Sequence, residues 1–230
     1  MWLGFGYNPA RKAALDGLSF AVIIQSDFDG TLTEEDVSFA LLDAFAKGDW
    51  RKLFEQYRQG KMTVGDFNTK AFAMVKVGRD ELLKRAREEV KLRGGLRNLV
   101  NYCQGRGLRF IVVSNGLDFY IKAILGDVGL GNIEVYAATT KFTPGGLTVQ
   151  YIGPDGNPLK KGFKEAYTKL FLAQGYEVVC IGNGPSDYFP AALAQHVFAR
   201  DGLLDICKEK KLDCRPFEDF NDVVRGLEKI

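Results

Sequence analysis

Phe20-Ala21-Val22-Ile23-Ile24-Gln25 runs through Ser26 into Asp27-Phe28-Asp29-Gly30-Thr31-Leu32-Thr33. The first six residues form an apolar run that is continuous rather than alternating, as in a parallel strand covered on both faces. Two carboxylates at i and i+2 directly after such a strand repel one another unless a cation sits between them. A turn reading alone, with Gly30 at positive φ, does not account for a seven-residue acidic and hydroxyl-rich stretch at a strand's C-terminal end.

Three further apolar runs follow, Phe110–Val113, Glu177–Ile181 and His196–Ala199, with amphipathic helical stretches between them. This is the order of a doubly wound α/β sheet. Ile133–Phe142 and Leu147–Ile152 alternate more and flank Thr143-Pro144-Gly145-Gly146, which predicts a β-hairpin. About 85 residues separate the first two strands, far more than one crossover needs. They read as helices: one through Val37, Leu41, Ala44 and Phe45, then Asp49–Arg58, Thr63–Lys76 and Asp80–Lys91, with breaks at Gly60 and Gly78. Thr33 and Asp36 are spaced as a capping box. A helix over Gly95–Gln104 leads into the second strand. The expected architecture is an α/β fold: a Rossmann-like parallel sheet core (1–33 and 106–230), a small helical cap (34–105) and a β-hairpin insertion. The cap is expected over the C-terminal edge of the sheet, where open α/β sheets bind ligands.

Composition narrows the function. The chain has 230 residues, 46% hydrophobic and 26% charged, and needs no disulfide or metal to fold. A net charge of +2 gives no single-sign excess for nucleic-acid binding. No apolar stretch is long enough for a membrane span, and Met1–Leu18 does not resemble a signal peptide. Cys103, Cys180, Cys207 and Cys214 form no CxxC pair, which fits a reducing cytoplasm.

The later strand ends repeat the pattern of the first. Ser114-Asn115-Gly116 places a hydroxyl and successive amides before a helix, a cradle for an anion. Gly182-Asn183-Gly184-Pro185-Ser186-Asp187 is a glycine-rich turn with an acid, and Lys160 and Lys161 precede the helix before that strand. Together they supply a nucleophile, an acid/base, an anion cradle, a cation and an acid for a metal, the parts phosphoryl transfer needs.

From Phe20 onward the sequence resembles the haloacid dehalogenase-like hydrolases, in particular their phosphoserine-phosphatase-like branch. The resemblance rests on Asp27–Thr31, Ser114, the lysine-led helix, the Asn183–Asp187 turn and the cap stretch Tyr57-Arg58-Gln59-Gly60-Lys61. The tail Phe198–Leu204, with Cys207, Pro216-Phe217 and Asp219-Phe220, carries a more particular resemblance to one subgroup of that branch. It implies an Mg²⁺-dependent phosphatase of a small phosphorylated metabolite, acting through an aspartyl-phosphate. Asp27 would be the nucleophile, Asp29 the acid/base and Lys161 the neutralising lysine, with Lys160 as its alternative. Ser114, Asn115 and Gly116 would hold the phosphoryl group. Asp27, the Asp29 carbonyl, Asn183 and Asp187 would hold Mg²⁺. Asn183 departs from the family, which has an acid there. Asp36 would contact substrate or act as a helix cap at the third helical position. A phosphotransferase to a small alcohol and a metal-poor binding protein are the rival expectations. Neither nucleic acid nor membrane is expected as a partner, and the chain is expected to be a monomer or homodimer.

Overall fold

The structure is a computed structural model that describes residues 21–143 and 146–230. The expectations for Met1–Leu18, Phe20 and the Pro144-Gly145 turn lie outside the described residues. A seven-stranded sheet runs in the order β4-β3-β2-β1-β5-β6-β7. Its strands are β1 (Ala21–Ser26), β2 (Arg109–Leu117), β3 (Glu134–Thr143), β4 (Gly146–Gln150), β5 (Tyr176–Gly182), β6 (His196–Ala199) and β7 (Arg215–Pro216). All neighbours are parallel except β3 and β4, which form the hairpin.

The chain moves outward from β1 through β2 and β3 on one side, then returns to β5 on the other. The crevice at such a reversal lies beyond the C-terminal ends of β1, β2 and β5. Ile23 and Ile24 of β1, Ile111 and Val112 of β2, and Val178 and Ile181 of β5 are fully buried. The buried Gln25 in β1 would be costly there, but its side chain accepts a hydrogen bond of 3.0 Å from Thr168.

Between β1 and β2 lie α1 (Val37–Phe45), α2 (Trp50–Arg58), α3 (Val64–Phe72), α4 (Arg79–Glu89) and α5 (Leu96–Arg106). Asp36, Asp49 and Thr63 cap the first three through their side chains. Thr33 does not form the expected capping box: its hydroxyl turns back to accept from the Gly30 amide at 3.0 Å. Phe39, Trp50, Phe54 and Phe67 pack ring against ring and unite α1, α2 and α3. The segment expected as cap to residue 105 includes α5, which instead packs on β2 and on α10 (Phe220–Leu227). The chain enters and leaves the cap side by side, through an antiparallel bridge between Thr33 and Leu92. The hairpin reaches the cap from the other side, β4 packing on α3.

The remaining helices are α6 (Asp118–Asp127), α7 (Phe163–Ala173), α8 (Tyr188–Leu193) and α9 (Asp201–Lys210). No described helix is long and apolar enough to cross a membrane.

Candidate active site

Asp27 is the first residue past β1. Its amide still donates to Ile181 of β5 at 3.0 Å, and its Oδ1 accepts from the Phe28 amide at 2.7 Å. The Phe28 ring is fully buried and turns the chain back under the sheet edge. Gly30 then takes φ +73°, and a Cβ there would lie 2.3 Å from the Asn183 side chain. Both the backbone conformation and the space require glycine. Arg93, from the returning cap connection, fixes this loop by donating to the carbonyls of Gly30, Thr31 and Thr33 at 2.8–3.0 Å.

The cation at Asp27 is Lys164, not Lys161 or Lys160. Its ammonium lies 2.7 Å from Asp27 and 2.7 Å from Asp187, with the side chain only 3% exposed. Lys161 and Lys160 are exposed. Helix α7 buries Phe163, Lys164, Tyr167, Thr168 and Phe171, so the lysine, second residue of the helix, lies on its apolar stripe. Burial alone would lower its pKa, but the two carboxylates outweigh burial and hold it above the ordinary lysine range.

Asp187 is almost wholly buried. One oxygen meets Lys164, and the other accepts from the amides of Asn183 and Gly184 at 3.1 Å. It braces the loop behind the lysine and is not among the residues lining the cavity, unlike its expected place as a metal ligand. Asn183 does line the cavity, and its Oδ1 accepts from Thr31 at 3.0 Å.

Ser114, Asn115 and Gly116 end β2 beside Asp27 and line the same cavity. The Gly116 amide, expected to face a phosphoryl oxygen, donates to Ser114 Oγ at 3.0 Å. The Asn115 carbonyl accepts from Asn68 of α3 at 2.9 Å and from Tyr151 at 2.5 Å. Asn115 Oδ1 is buried without a hydrogen-bond partner among the described residues. Such an orphaned acceptor at a cavity wall is a place for a ligand donor.

Asp29 accepts from the Val37 amide at 3.0 Å and from the Tyr120 hydroxyl at 2.5 Å. Burial, then the Asp36 charge, push its carboxyl well above the ordinary range, against the pull of the Tyr120 hydrogen bond. Asp36 is the N-cap of α1, not its third residue, and accepts from Phe39 N at 2.9 Å. It also lines the cavity, so both expected roles fall on one side chain. Burial raises Asp27 and Asp36 each to about 6.

The cavity between cap and sheet edge has a volume of about 320 Å³. Phe39, Phe54 and Phe67 form its cap wall, with Tyr57 and Arg58. The donor set suits a hard divalent cation: the Asp27 carboxylate, the Asn183 amide oxygen and nearby backbone carbonyls are all oxygens. Burial disfavours the charged forms of Asp27 and Asp36, each raised to about 6, and a bound cation would favour them. Among the described residues no cluster of three His, Cys, Asp or Glu could hold a metal. The protein's charge toward the ion would come mainly from Asp27. The sequence reading missed Lys164, Tyr120, Ser38 and Asn68. Only Lys164 left a local signal, a lysine in phase with Phe163, Tyr167 and Phe171.

The haloacid dehalogenase-like hydrolase family model matches residues 24–191. A Geobacillus kaustophilus protein named 2-hydroxy-3-keto-5-methylthiopentenyl-1-phosphate phosphatase is 31% identical over 217 residues, 91% of this chain and 96% of its own. A Brevibacillus brevis protein of the same name is 28% identical over 218 residues, 93% and 98% of the two chains. Among solved structures, a phosphoserine phosphatase with a phospho-aspartyl intermediate analogue superposes with a TM-score of 0.68 at 20% identity, over 90% of this chain and 99% of that one. The phosphoserine phosphatase from T. onnurineus gives 0.68 at 19% identity, over 94% and 99%. The sheet order, the acids beyond β1 and a match spanning β1 to α8 agree: the chain belongs to the haloacid dehalogenase-like hydrolase family.

Proposed function

We propose that the protein is a phosphatase of small phosphomonoesters that works through an aspartyl-phosphate. The observation that carries this is Asp27, held against the buried Lys164 in the cavity between cap and sheet edge, with Asp29 two residues on and Ser114 beside it. An Asp27 oxygen attacks phosphorus, and the ester oxygen leaves with the proton from Asp29. Asp29, now ionised, takes a proton from a water. That water attacks the acyl phosphate and releases inorganic phosphate, restoring both acids. Lys164 offsets negative charge on Asp27, and Ser114 offers its hydroxyl to the phosphoryl oxygens. Asp27, Asn183 and the Asp29 carbonyl would hold Mg²⁺, which supplies positive charge toward the phosphoryl oxygens when bound.

The aromatic cap wall favours an ester with an apolar tail. That agrees with the substrate in the relatives' name and with the tail Phe198–Leu204, which resembles the methionine-salvage phosphatases. Phosphoserine is the second reading: Asp36 and Arg58 both line the cavity and would match an ammonium and a carboxylate.

Phosphate release by the pure enzyme, with Mg²⁺ or with chelator, decides between them. The expected result is Mg²⁺-dependent turnover of the methylthio-bearing enol phosphate at a higher kcat/KM than phosphoserine. The reverse order selects phosphoserine. Transfer of phosphate to an added alcohol instead of water would identify a phosphotransferase, and absence of turnover on every ester would overturn the phosphatase.

A further inference from the structure

Asp29 is tied to the cap twice. The Val37 amide, in the first turn of α1, donates to Oδ1 at 3.0 Å. Tyr120, from α6 of the core, donates to Oδ2 at 2.5 Å, and its oxygen lies 2.8 Å from the Ser38 hydroxyl, again in the first turn of α1. The single Tyr120 proton is committed to the carboxylate, so the Ser38 hydroxyl is the donor to Tyr120. Ser38 and Asp29 both line the cavity, and Tyr120, which does not, joins them from behind.

We propose that Tyr120, oriented by Ser38, is a positioning residue that holds the Asp29 carboxyl in its proton-transfer orientation only while the first turn of α1 is seated on the core. This rests on Asp29 being the acid/base of the reaction above. Tyr120 is fully buried, with its ring against Phe28 at 6.1 Å and Phe119 at 5.5 Å between centroids, so its hydroxyl has little freedom to move. The space for the bond is reserved by Gly116: a Cβ there would lie 2.2 Å from the Tyr120 oxygen and 2.3 Å from Asp29 Oδ2. A buried tyrosine that only needed a partner would be satisfied by a backbone carbonyl. This one joins the reacting acid to a cap side chain at the cavity. If the cap lifts, the Val37 and Ser38 contacts are lost together, and Asp29 is left with Tyr120 alone.

The test compares Tyr120→Phe, Ser38→Ala and Asp29→Asn on p-nitrophenyl phosphate and on an alkyl phosphate that the wild type turns over, phosphoserine first. An aryl leaving group needs little protonation, whereas an alkoxide needs it fully. Tyr120→Phe should lower kcat on the alkyl ester by roughly 10- to 100-fold, with KM changed less than about 3-fold. The aryl ester should lose less than about 3-fold, because acid help matters little there. In the Asp29→Asn background the same change should add no further loss, since the residue it positions is gone. Ser38→Ala should show the same leaving-group bias to a smaller degree, and it decides the matter should Tyr120→Phe fail to give a cooperative thermal melt. Equal losses on both esters, no loss, or full additivity with Asp29→Asn would overturn the proposal while leaving the phosphatase intact. A wild-type protein inert on both esters would overturn the phosphatase reading and this one with it.

Discussion

Lys164 and Lys161 are three residues apart and have opposite surroundings. Removing the ammonium of Lys164 leaves Asp27 and Asp187 buried without their cation, so Lys164→Met is expected to cost about 3–5 kcal/mol in chemical denaturation. Lys161→Ala, at an exposed position, should stay within about 0.5 kcal/mol of wild type. Asp27→Asn should abolish turnover, because a carboxamide is a poor nucleophile, and keep the fold, because Lys164 retains Asp187. Multiple turnovers by that variant, with deamidation excluded, would contradict the nucleophile. Asp36 gives a pH signature. Its carboxyl is raised from 3.8 to about 6, so between these values the folded state holds a proton that the unfolded chain has lost. Stability from this group is therefore full at acid pH and falls as pH rises through that window. Asparagine caps a helix as well as aspartate, so Asp36→Asn keeps the cap and removes the ionisation. With chelator present, its melting temperature should exceed wild type at pH 7–8 by the equivalent of about 1 kcal/mol, allowing for partial solvation in the cavity. The gain should vanish near pH 4.

At the scale of elements, the paired connections between core and cap are the mechanical joint. Arg93 spans three carbonyls of the loop after Asp29 from the opposite strand of that joint. Arg93→Met should cost about 2 kcal/mol or more and lower activity along with stability. Arg93→Lys should recover only part of the loss, since a point donor cannot span a planar fork's acceptors. Denaturation and kcat/KM measured on the same preparations check both. The strands that carry the site were legible in sequence because a buried parallel strand is a continuous apolar run, and β6 begins and ends where that run does. The catalytic turn was legible because carboxylates and glycines at a strand end have few structural explanations. Sequence points to Lys161 because Lys161-Gly162-Phe163 looks like a helix start, whereas only its place on the apolar stripe of α7 marks Lys164. Sequence order cannot show that α5, inside the segment expected as cap, meets α10 more than a hundred residues later. Tyr120 and Ser38 left no local trace. Each resembles an ordinary member of its helix, and the contact between them spans 82 positions.

Taken whole, the molecule has one histidine, His196, at the start of β6, while the cavity lies beyond the opposite, C-terminal ends of the strands. Apart from the titration of the substrate's own phosphate, a change of activity between about pH 5 and 8 therefore belongs to the acidic cluster rather than to an imidazole. The kcat/KM profiles of wild type and His196→Gln are expected to superimpose, and a displaced limb in the variant would contradict this. Long-range dependence also follows from Gly116, whose missing side chain leaves room for the bond between Tyr120 and Asp29. Position 116 is held by two neighbours at once, the hydroxyl at 120 and the carboxyl at 29. A lineage that gains a side chain at 116 must displace both the hydroxyl at 120 and the carboxyl at 29, and one that acquires the tyrosine must already carry the glycine. Across an alignment of relatives that keep the acid at 29, glycine at 116 should therefore persist even where 120 varies, with tyrosine at 120 found only beside glycine at 116.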